Sequence, residues 1–272
     1  MTGTLRFHPH AADGVAQVVV SNPAKLNAVD IAMWRDLRAT FERLQALPPE
    51  AAPRAVIVSG DGGHFASGGD IHEFATFRFD EARLRDFHEN VVAPALHALL
   101  GCDIPLFAQI EGACIGGGFE IAACCDIRIC GATSRFGAPI ARLGFPMAPG
   151  ELELLARVAA PAVLREMLLE ARLLGAARAL QLGLVHAVVS DDQVAATTRA
   201  RAGAAAGLAP NAARLNKRTL RQLAAGGPSA AERRSHFGYA ASAEHREGVT
   251  AFIEKRPPQF ARDANPSTTD AP

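Results

Sequence analysis

Short β-branched runs alternate with stretches of helical periodicity along the first two-thirds of the chain. The β-branched runs predict strands over residues 15–21, 54–60, 106–111, 126–130 and 184–190. Apolar side chains recur at Met33, Leu37, Phe41 and Leu44, which predicts an amphipathic helix over residues 29–47. A second helix is predicted over residues 81–100, where Pro94 kinks or divides it. Strands that alternate with helices indicate an α/β architecture.

The pattern changes after about residue 190 to helix that is rich in alanine and arginine and poor in β-branched residues. A Gly226-Gly227-Pro228 break separates one predicted helix (211–225) from another (230–255). We therefore predict an α/β core over residues 1–200 and a C-terminal helical region over residues 201–272. The polar segment 262–272 is predicted to be a disordered tail.

Composition narrows the classes of function. The 272 residues carry 28 basic and 28 acidic side chains, so the net charge of zero excludes a generally basic nucleic-acid binder. We find no secretory signal and no apolar run long enough to span a membrane. The five cysteines lie in apolar sequence without a C-x-x-C pair, which favours buried, reduced thiols in a cytoplasmic protein and predicts no metal site. A basic stripe at helical spacing is compatible with nucleic-acid binding, although a solvated or subunit-interface face fits the neutral charge better. This stripe consists of Arg214, Lys217, Arg218 and Arg221.

Two glycine-rich segments, 60–70 and 111–120, directly follow predicted strands. Neither is a nucleotide-binding loop, and G-x-S-x-G and H-E-x-x-H motifs are absent. Glycine lets a carbonyl oxygen approach the backbone closely. The N–H groups of Gly69 and Gly117 would together form an oxyanion hole, in which each donor typically contributes about 3 kcal/mol to a developing negative charge. The alternative is that both segments are ordinary turns.

The order and spacing of several motifs resemble the enoyl-CoA hydratase/isomerase (crotonase) superfamily across almost the whole chain. The motifs are Asn22-Pro-Ala-Lys-Leu-Asn27, Phe65-Ala-Ser-Gly-Gly-Asp-Ile71, the Gly112–Glu120 segment followed by Cys125-Asp126, Phe136-Gly-Ala-Pro139, Leu143-Gly144 and the Glu247–Arg256 segment. The resemblance implies a spiral of repeated ββα units with a C-terminal helical region that drives assembly into a homotrimer or a dimer of trimers.

The resemblance also implies a substrate, an acyl-CoA thioester whose carbonyl lies between the N–H groups of Gly69 and Gly117. CoA would be part of that substrate, with no separate cofactor. The positions implied for CoA binding are Lys25, Leu26, Ser67, Asp70 and Ile71, together with Phe252 and Lys255, which commonly reach the nucleotide end of CoA from a neighbouring subunit.

The implied acid–base chemistry starts with Glu120, which matches the first of two catalytic glutamates in family hydratases. Its apolar neighbours would raise its pKa by desolvation; the alternative is a structural carboxylate paired to an arginine. The second glutamate is replaced by Ile140, and Ala148 occupies the position where some relatives carry aspartate. Glu151 could replace the lost carboxylate, or it could simply favour the dipole of its helix.

Four further residues near these segments have weaker claims. Glu153 is more simply explained by the helix dipole, and Glu73, like Asp70, by loop structure or CoA contact. His64 and His72 flank the first glycine segment and are more simply explained as solvated loop residues. The sequence therefore predicts an enzyme that stabilises a thioester enolate, either an enoyl-CoA hydratase or an enoyl-CoA isomerase. The alternative is an acyl-CoA-binding member without hydratase activity, because of Ile140.

Overall fold

The computed structural model describes residues 3–10 and 12–260, and within these ranges strands and helices alternate along the chain. The strands are β1 (Thr4–His8), β2 (Val15–Ser21), β3 (Ala55–Gly60), β4 (Leu106–Ile110), β5 (Ala113–Ile115), β6 (Ile127–Gly131), β7 (Arg135–Gly137), β8 (Leu174–Gly175) and β9 (Ala187–Val189). The helices are α1 (Ile31–Ala46), α2 (Ile71–Phe74), α3 (Glu81–Asp86), α4 (Ala93–Gly101), α5 (Gly117–Ala123), α6 (Pro149–Leu155), α7 (Pro161–Leu169), α8 (Ala176–Gln181), α9 (Val194–Ala206), α10 (Pro210–Ala224), α11 (Ala230–Ser235) and α12 (Ala243–Ile253).

Six strands form the main sheet in the order β1-β2-β3-β4-β6-β9, and three form a second sheet in the order β5-β7-β8. In the main sheet β1 is antiparallel to β2, and the remaining pairs are parallel. The register places Val56 of β3 opposite Leu106 of β4. Because parallel strands require crossover connections, helices cover both faces of this sheet. The α/β architecture predicted from alternating elements is confirmed.

The core is divided between the two faces of the main sheet. On one face, a large buried cluster includes Trp34 and Phe41 of α1 together with Phe65. On the other face, Ala202 and Ala206 of α9 pack against inward-facing residues of the sheet. Residue 200, where the sequence predicts the end of the core, lies within α9. The predicted tail, 262–272, lies outside the described residues.

The helix predicted over residues 81–100 is divided as its proline suggested. Between α3 and α4 the chain forms a π-helical turn, Phe87–Val92, in which the Ala93 amide donates to the carbonyl of His88. Pro94 lies in the first turn of α4, where its missing N–H is tolerated. A wide turn of this kind shifts the side chains that follow the ideal helical positions, and such turns are frequent at functional sites.

The C-terminal helix predicted over residues 230–255 is wrong as one continuous helix. The chain leaves α11 through a 3₁₀ turn, His236–Ala241, and begins α12 anew. Ser242 caps α12, since its side chain accepts from the amide of His245. The local capping residue thus outweighs the continuous helical propensity.

No helix of the described residues is long and apolar enough to cross a membrane. All five cysteines belong to the described part of the chain, and all are buried and free of disulfides.

Candidate active site

The first glycine segment is held by two isolated parallel bridges, Val29 with Gly69 and Ala66 with Cys114. Val29 donates to the carbonyl of Gly68 and accepts from the amide of Asp70. In parallel pairing these bonds come from the residues on either side of Gly69, so the N–H of Gly69 itself points to the opposite side of the loop. Within the described residues no acceptor takes that N–H.

The second segment begins α5 next to the first. Gly116 adopts a positive φ of 49° and donates to Gly137, so α5 starts with Gly117. The Gly117 N–H, in the first turn, lacks an intrahelical acceptor and has no other among the residues described. A Cβ built on Gly117 would lie 2.8 Å from the Trp34 ring and 3.8 Å from the Gly68 carbonyl carbon, which is bonded to the Gly69 nitrogen. Gly69 and Gly117 therefore meet, and both line one cavity of about 270 Å³.

The loop that precedes α1 is bonded to the first glycine segment. Leu26 and Asn27 have positive φ values of 50° and 58°, and the buried Asn27 side chain donates to the carbonyls of Asp61 and His64, both at 2.7 Å. This anchoring explains why the Asn22–Asn27 motif ends in an amide side chain: Asn tolerates the left-handed conformation and satisfies two carbonyls at once.

Four of the five nearby residues implied for CoA binding interact with one another. Lys25 donates to the Asp70 carboxylate at 2.5 Å, and Ser67 bonds to the backbone of both Lys25 and Leu26. Burial raises the pKa of Asp70, but hydrogen bonds from Lys25 and the His72 amide lower it by a larger amount. The net shift of the pKa is therefore downward. The fifth, Ile71, is 59% exposed beside them, and Ser67 and Ile71 line the cavity.

Glu120 lies one helical turn after Gly117 and also lines the cavity. It is 5% exposed and forms no ion pair within the described chain, so the alternative of a carboxylate paired to arginine is wrong. Burial, and secondly the negative charge of Glu151, raise the pKa of Glu120 well above its usual range. Both effects favour the protonated form of Glu120.

Glu151 extends into the same cavity from the first turn of α6. It is 6% exposed, and its Oε1 lies 2.5 Å from Nδ1 of His88 in the π-helical turn. Of the two interpretations left open by the sequence, a side chain directed at the cavity fits this burial, whereas a solvated residue that only favours the dipole does not. Glu153, on the other side of α6, is 75% exposed and pairs with Arg157.

Ile140 lines the cavity where family hydratases are expected to carry a second glutamate. It begins a 3₁₀ turn, Ile140–Leu143, whose residues Arg142 and Leu143 also line the wall. Ala148 occupies the N-cap position of α6. It does not line this cavity, whereas Glu151 does. The cavity therefore contains two carboxyl groups, but one of them comes from a different helix than the family pattern predicts.

Arg78 enters the cavity wall from the segment that follows α2. Its guanidinium carbon lies 4.1 Å from the centre of the Phe74 ring and 3.6 Å from that of Phe145. Burial lowers the pKa of Arg78, and the negative charge of Glu151 opposes that shift. The two rings stabilise the cation through their quadrupoles, which replaces part of the hydration that it loses.

The other candidates near the glycine segments have structural roles. The Nδ1 atom of His64 accepts from the amide of Ala113, and the Glu73 carboxylate accepts from the amide of Ile31 at the start of α1. Burial raises the pKa of Glu73. His72 is exposed on α2. In residues 3–10 and 12–260 no three His, Cys, Asp or Glu side chains converge as a metal site.

Phe252 and Lys255 lie at the end of α12, away from the cavity lining. Phe252 is 85% exposed, and Lys255 adopts a positive φ of 56° just after the helix. Within one chain the structure does not bring them to the site. Their expected role therefore requires a second subunit.

The basic stripe on α10 packs against the core. Lys217 pairs with Asp126 at 2.7 Å, and Arg218 and Arg221 both pair with Asp103. Arg214 donates to the carbonyl of Pro53. These contacts account for the charge pattern by pairing within the chain, whereas the sequence favoured a solvated or subunit-interface face.

His88 and Arg78 are two cavity residues that the sequence did not indicate. Both fall between the glycine segments, in a region that carries no motif. The irregular helix around Pro94 was the available signal, because a π-helical turn that accommodates a proline often lies at a functional site. Nothing local to Arg78 separates it from the other arginines nearby.

Comparisons with known proteins show the family of the chain. Residues 10–263 match the family model described as enoyl-CoA hydratase/isomerase. A "Probable enoyl-CoA hydratase echA8" of Mycobacterium bovis is 31% identical over 249 residues, which cover 90% of this chain and 94% of that protein. The short-chain-enoyl-CoA hydratase of Clostridium acetobutylicum is 31% identical over 246 residues, covering 89% and 92%.

Solved structures give the same result for the fold. An enoyl-CoA hydratase/carnithine racemase from Magnetospirillum magneticum superimposes with a TM-score of 0.89 at 36% identity, over 95% of this chain and 96% of that one. The resemblance predicted from the motifs, and the crotonase-like fold that it implied, are confirmed.

Proposed function

The chain belongs to the enoyl-CoA hydratase/isomerase family, and we propose that it hydrates 2-enoyl-CoA thioesters with Glu120 and Glu151 as its acid–base pair. In this proposal the N–H groups of Gly69 and Gly117 bind the thioester oxygen. CoA enters as part of the substrate and leaves the cavity past Lys25 and Asp70.

The observation that carries the proposal is the pair of buried carboxyl groups in one cavity with two free glycine amides. Burial and the charge of Glu151 raise the pKa of Glu120, which favours its protonated form, while Glu151 is hydrogen-bonded to His88. A carboxyl group that favours its proton, next to a second carboxyl group oriented by a hydrogen bond, provides a proton donor and a proton acceptor in one cavity.

Hydration uses this arrangement directly. Glu151, oriented by His88, accepts a proton from a water whose oxygen bonds to the β-carbon. The electrons of the C=C bond move toward the thioester oxygen, where the two amides stabilise the enolate. Glu120 then donates its proton to the α-carbon, so the thioester gains one water and each carboxyl group exchanges its protonation state.

The test measures the decay of the enoyl thioester absorbance with crotonyl-CoA. We expect both Glu120→Gln and Glu151→Gln to lower kcat by about 10²–10⁴-fold, because each removes a positioned proton donor or acceptor. Binding of a saturated acyl-CoA, followed by calorimetry, remains within about threefold in both variants.

The matched control is Glu153→Gln, which neutralises a carboxylate on the same helix but outside the cavity. If Glu151→Gln and Glu153→Gln both retained wild-type turnover, Glu151 would have no role in the mechanism. Wild-type turnover in Glu120→Gln would likewise remove Glu120.

A second candidate rests on Ile140, the apolar side chain in the cavity wall where family hydratases carry a carboxylate. A member with this wall could isomerise 3-enoyl-CoA, which needs one proton shuttle, or bind acyl-CoA without turnover. Conversion of a 3-enoyl-CoA without hydration of crotonyl-CoA identifies the isomerase. Saturable binding without either reaction identifies the binding protein.

A further inference from the structure

Arg78 presents an unpaired cation to the cavity. Its guanidinium packs against the rings of Phe74 and Phe145, and both Arg78 and Glu151 line the cavity. Among the residues that the structure describes, no carboxylate lies within ion-pair distance of it, and its buried Nε atom has no hydrogen-bond partner.

Other arginines inside the fold do not share this condition. Arg128, which is buried, donates from Nε to the carbonyl of Leu184 at 2.6 Å and from its terminal nitrogen to that of Cys125 at 2.7 Å. Arg142, which also lines the cavity, donates to the carbonyl of Ala171. The fold thus supplies acceptors for arginines that stabilise it, whereas the donors of Arg78 are left for something that enters the cavity.

Glu151 does not fill this role. The negative charge of Glu151 raises the pKa of Arg78, but the two side chains lie beyond ion-pair distance. The Oε1 atom of Glu151 is instead bonded to His88. The guanidinium packs against two rings that stand at 77° to each other, which holds the cation in the cavity wall, and a guanidinium can form two parallel hydrogen bonds to a carboxylate.

We propose that Arg78 binds a carboxylate at the far end of the acyl chain, so that the substrate is a 2-enoyl-CoA with a carboxyl-terminated acyl group. The inference rests on the proposed function. Because the reacting carbons lie between Glu120 and Glu151, the chain beyond the β-carbon continues past Glu151 toward Arg78. The CoA portion is assigned to the opposite side, near Lys25 and Ser67.

The experiment compares two 2-enoyl-CoA substrates of equal chain length, one ending in a carboxylate and one in a methyl group. We expect the wild-type protein to favour the carboxylate. Arg78→Gln lowers kcat/KM for that substrate by about 100-fold, mainly through KM, and changes the methyl-terminated substrate by less than about threefold. Arg78→Lys, which keeps the charge but loses the planar fork, restores part of the preference.

The control is Arg83→Gln, because Arg83 bonds to the carbonyl of Thr76 outside the cavity. Its preference matches wild type. An equal loss of kcat for both substrates in Arg78→Gln, with a shifted pH profile, would overturn the inference and show that Arg78 acts on Glu151. A wild-type preference for the methyl-terminated substrate would overturn it too.

Binding of the corresponding saturated acyl-CoA pair, measured by calorimetry, separates this inference from the proposed function. Arg78-dependent preference without any turnover supports the inference and refutes hydration. Turnover or binding that ignores the terminal group refutes the inference alone.

Discussion

A methyl group added at Gly118 tests whether close packing of the two glycine segments sets the oxyanion site. Gly118 lies in α5, where its backbone passes Ala66 of the first segment. A Cβ at this position would lie 2.8 Å from the Ala66 Cβ and closer still to the Ala66 carbonyl oxygen, whereas ordinary contact begins at 3.4 Å. The first segment must therefore retreat by at least 0.6 Å in Gly118→Ala.

Two effects give the magnitude. Overpacking of a tight contact costs about 1–3 kcal/mol. The retreat also weakens the 3.0 Å hydrogen bond from the Ile115 amide to the Ala66 carbonyl, which contributes about 1 kcal/mol. A loss of about 2 kcal/mol lowers Tm by roughly 4–8 °C in a chain of this size. Because Ala66 precedes Gly69 by three residues, the amide pair is misplaced, and kcat falls by about 10–100-fold.

The assay combines thermal unfolding with hydration of crotonyl-CoA, and Gly203→Ala serves as the matched control. Gly203 lies in α9 with no atom within 4 Å of an added Cβ, so alanine there stabilises the helix by about 0.5–1 kcal/mol and leaves kcat unchanged. A Gly118→Ala variant with reduced Tm but wild-type kcat would refute the link between this contact and the amide pair. Wild-type Tm as well would refute the packing argument itself.

Two further predictions concern buried carboxyl groups. Asp103 accepts from Arg218, Arg221 and Gln45, whose hydrogen bonds lower its pKa despite the opposing effect of burial. Asp103→Asn should therefore cost about 2 kcal/mol at pH 7, less than a fully buried pair because Arg218 is half exposed. In urea unfolding this cost should begin to decline below about pH 4 and be lost as pH falls through the lower folded pKa of Asp103. A cost independent of pH would contradict the pairing. The pKa shift of Glu120 has the opposite sign, because its pKa is raised in the folded state. The free energy of unfolding of the wild-type protein is therefore undiminished by Glu120 below about pH 4.5, and it declines as pH rises toward the folded pKa of Glu120. Glu120→Gln should match wild type at pH 4.5 and exceed it at pH 8 in the same unfolding assay, and an equal pH dependence in both proteins would show that Glu120 is ionised in the fold.

Local patterns predicted much of the fold. The β-branched run at 15–21 coincides with β2, and the periodic helix at 29–47 contains α1. These elements follow from short-range chemistry. The strand is a β-branched run that is buried along almost its whole length, and the helix has helical spacing with an Asp30 cap. The prediction failed over residues 230–255, where Ser242 caps a new helix inside a sequence of high helical propensity.

The strands β1 and β5 were missed for a different reason. β1 has no buried face, since its residues alternate between exposed and half-buried. β5 has three residues and exists only because β7 pairs with it. Periodicity carries little information about an edge strand or about a strand this short, so pairing with a neighbour decides whether such a segment is a strand at all.

For the candidate site, the amino-acid order alone determined the two glycine segments, Glu120 and the loss of a carboxylate at Ile140, because each lies in a contiguous motif. Only the tertiary structure decided which groups face the Glu120 carboxyl group. His88 and Glu151 are 63 residues apart in the chain, and their contact depends on a π-helical turn meeting the start of α6. Arg78 likewise becomes a cavity cation only when Phe145 packs over it. Burial and proximity, which govern both pKa and charge recognition, arise from packing between distant segments, and no local pattern records them.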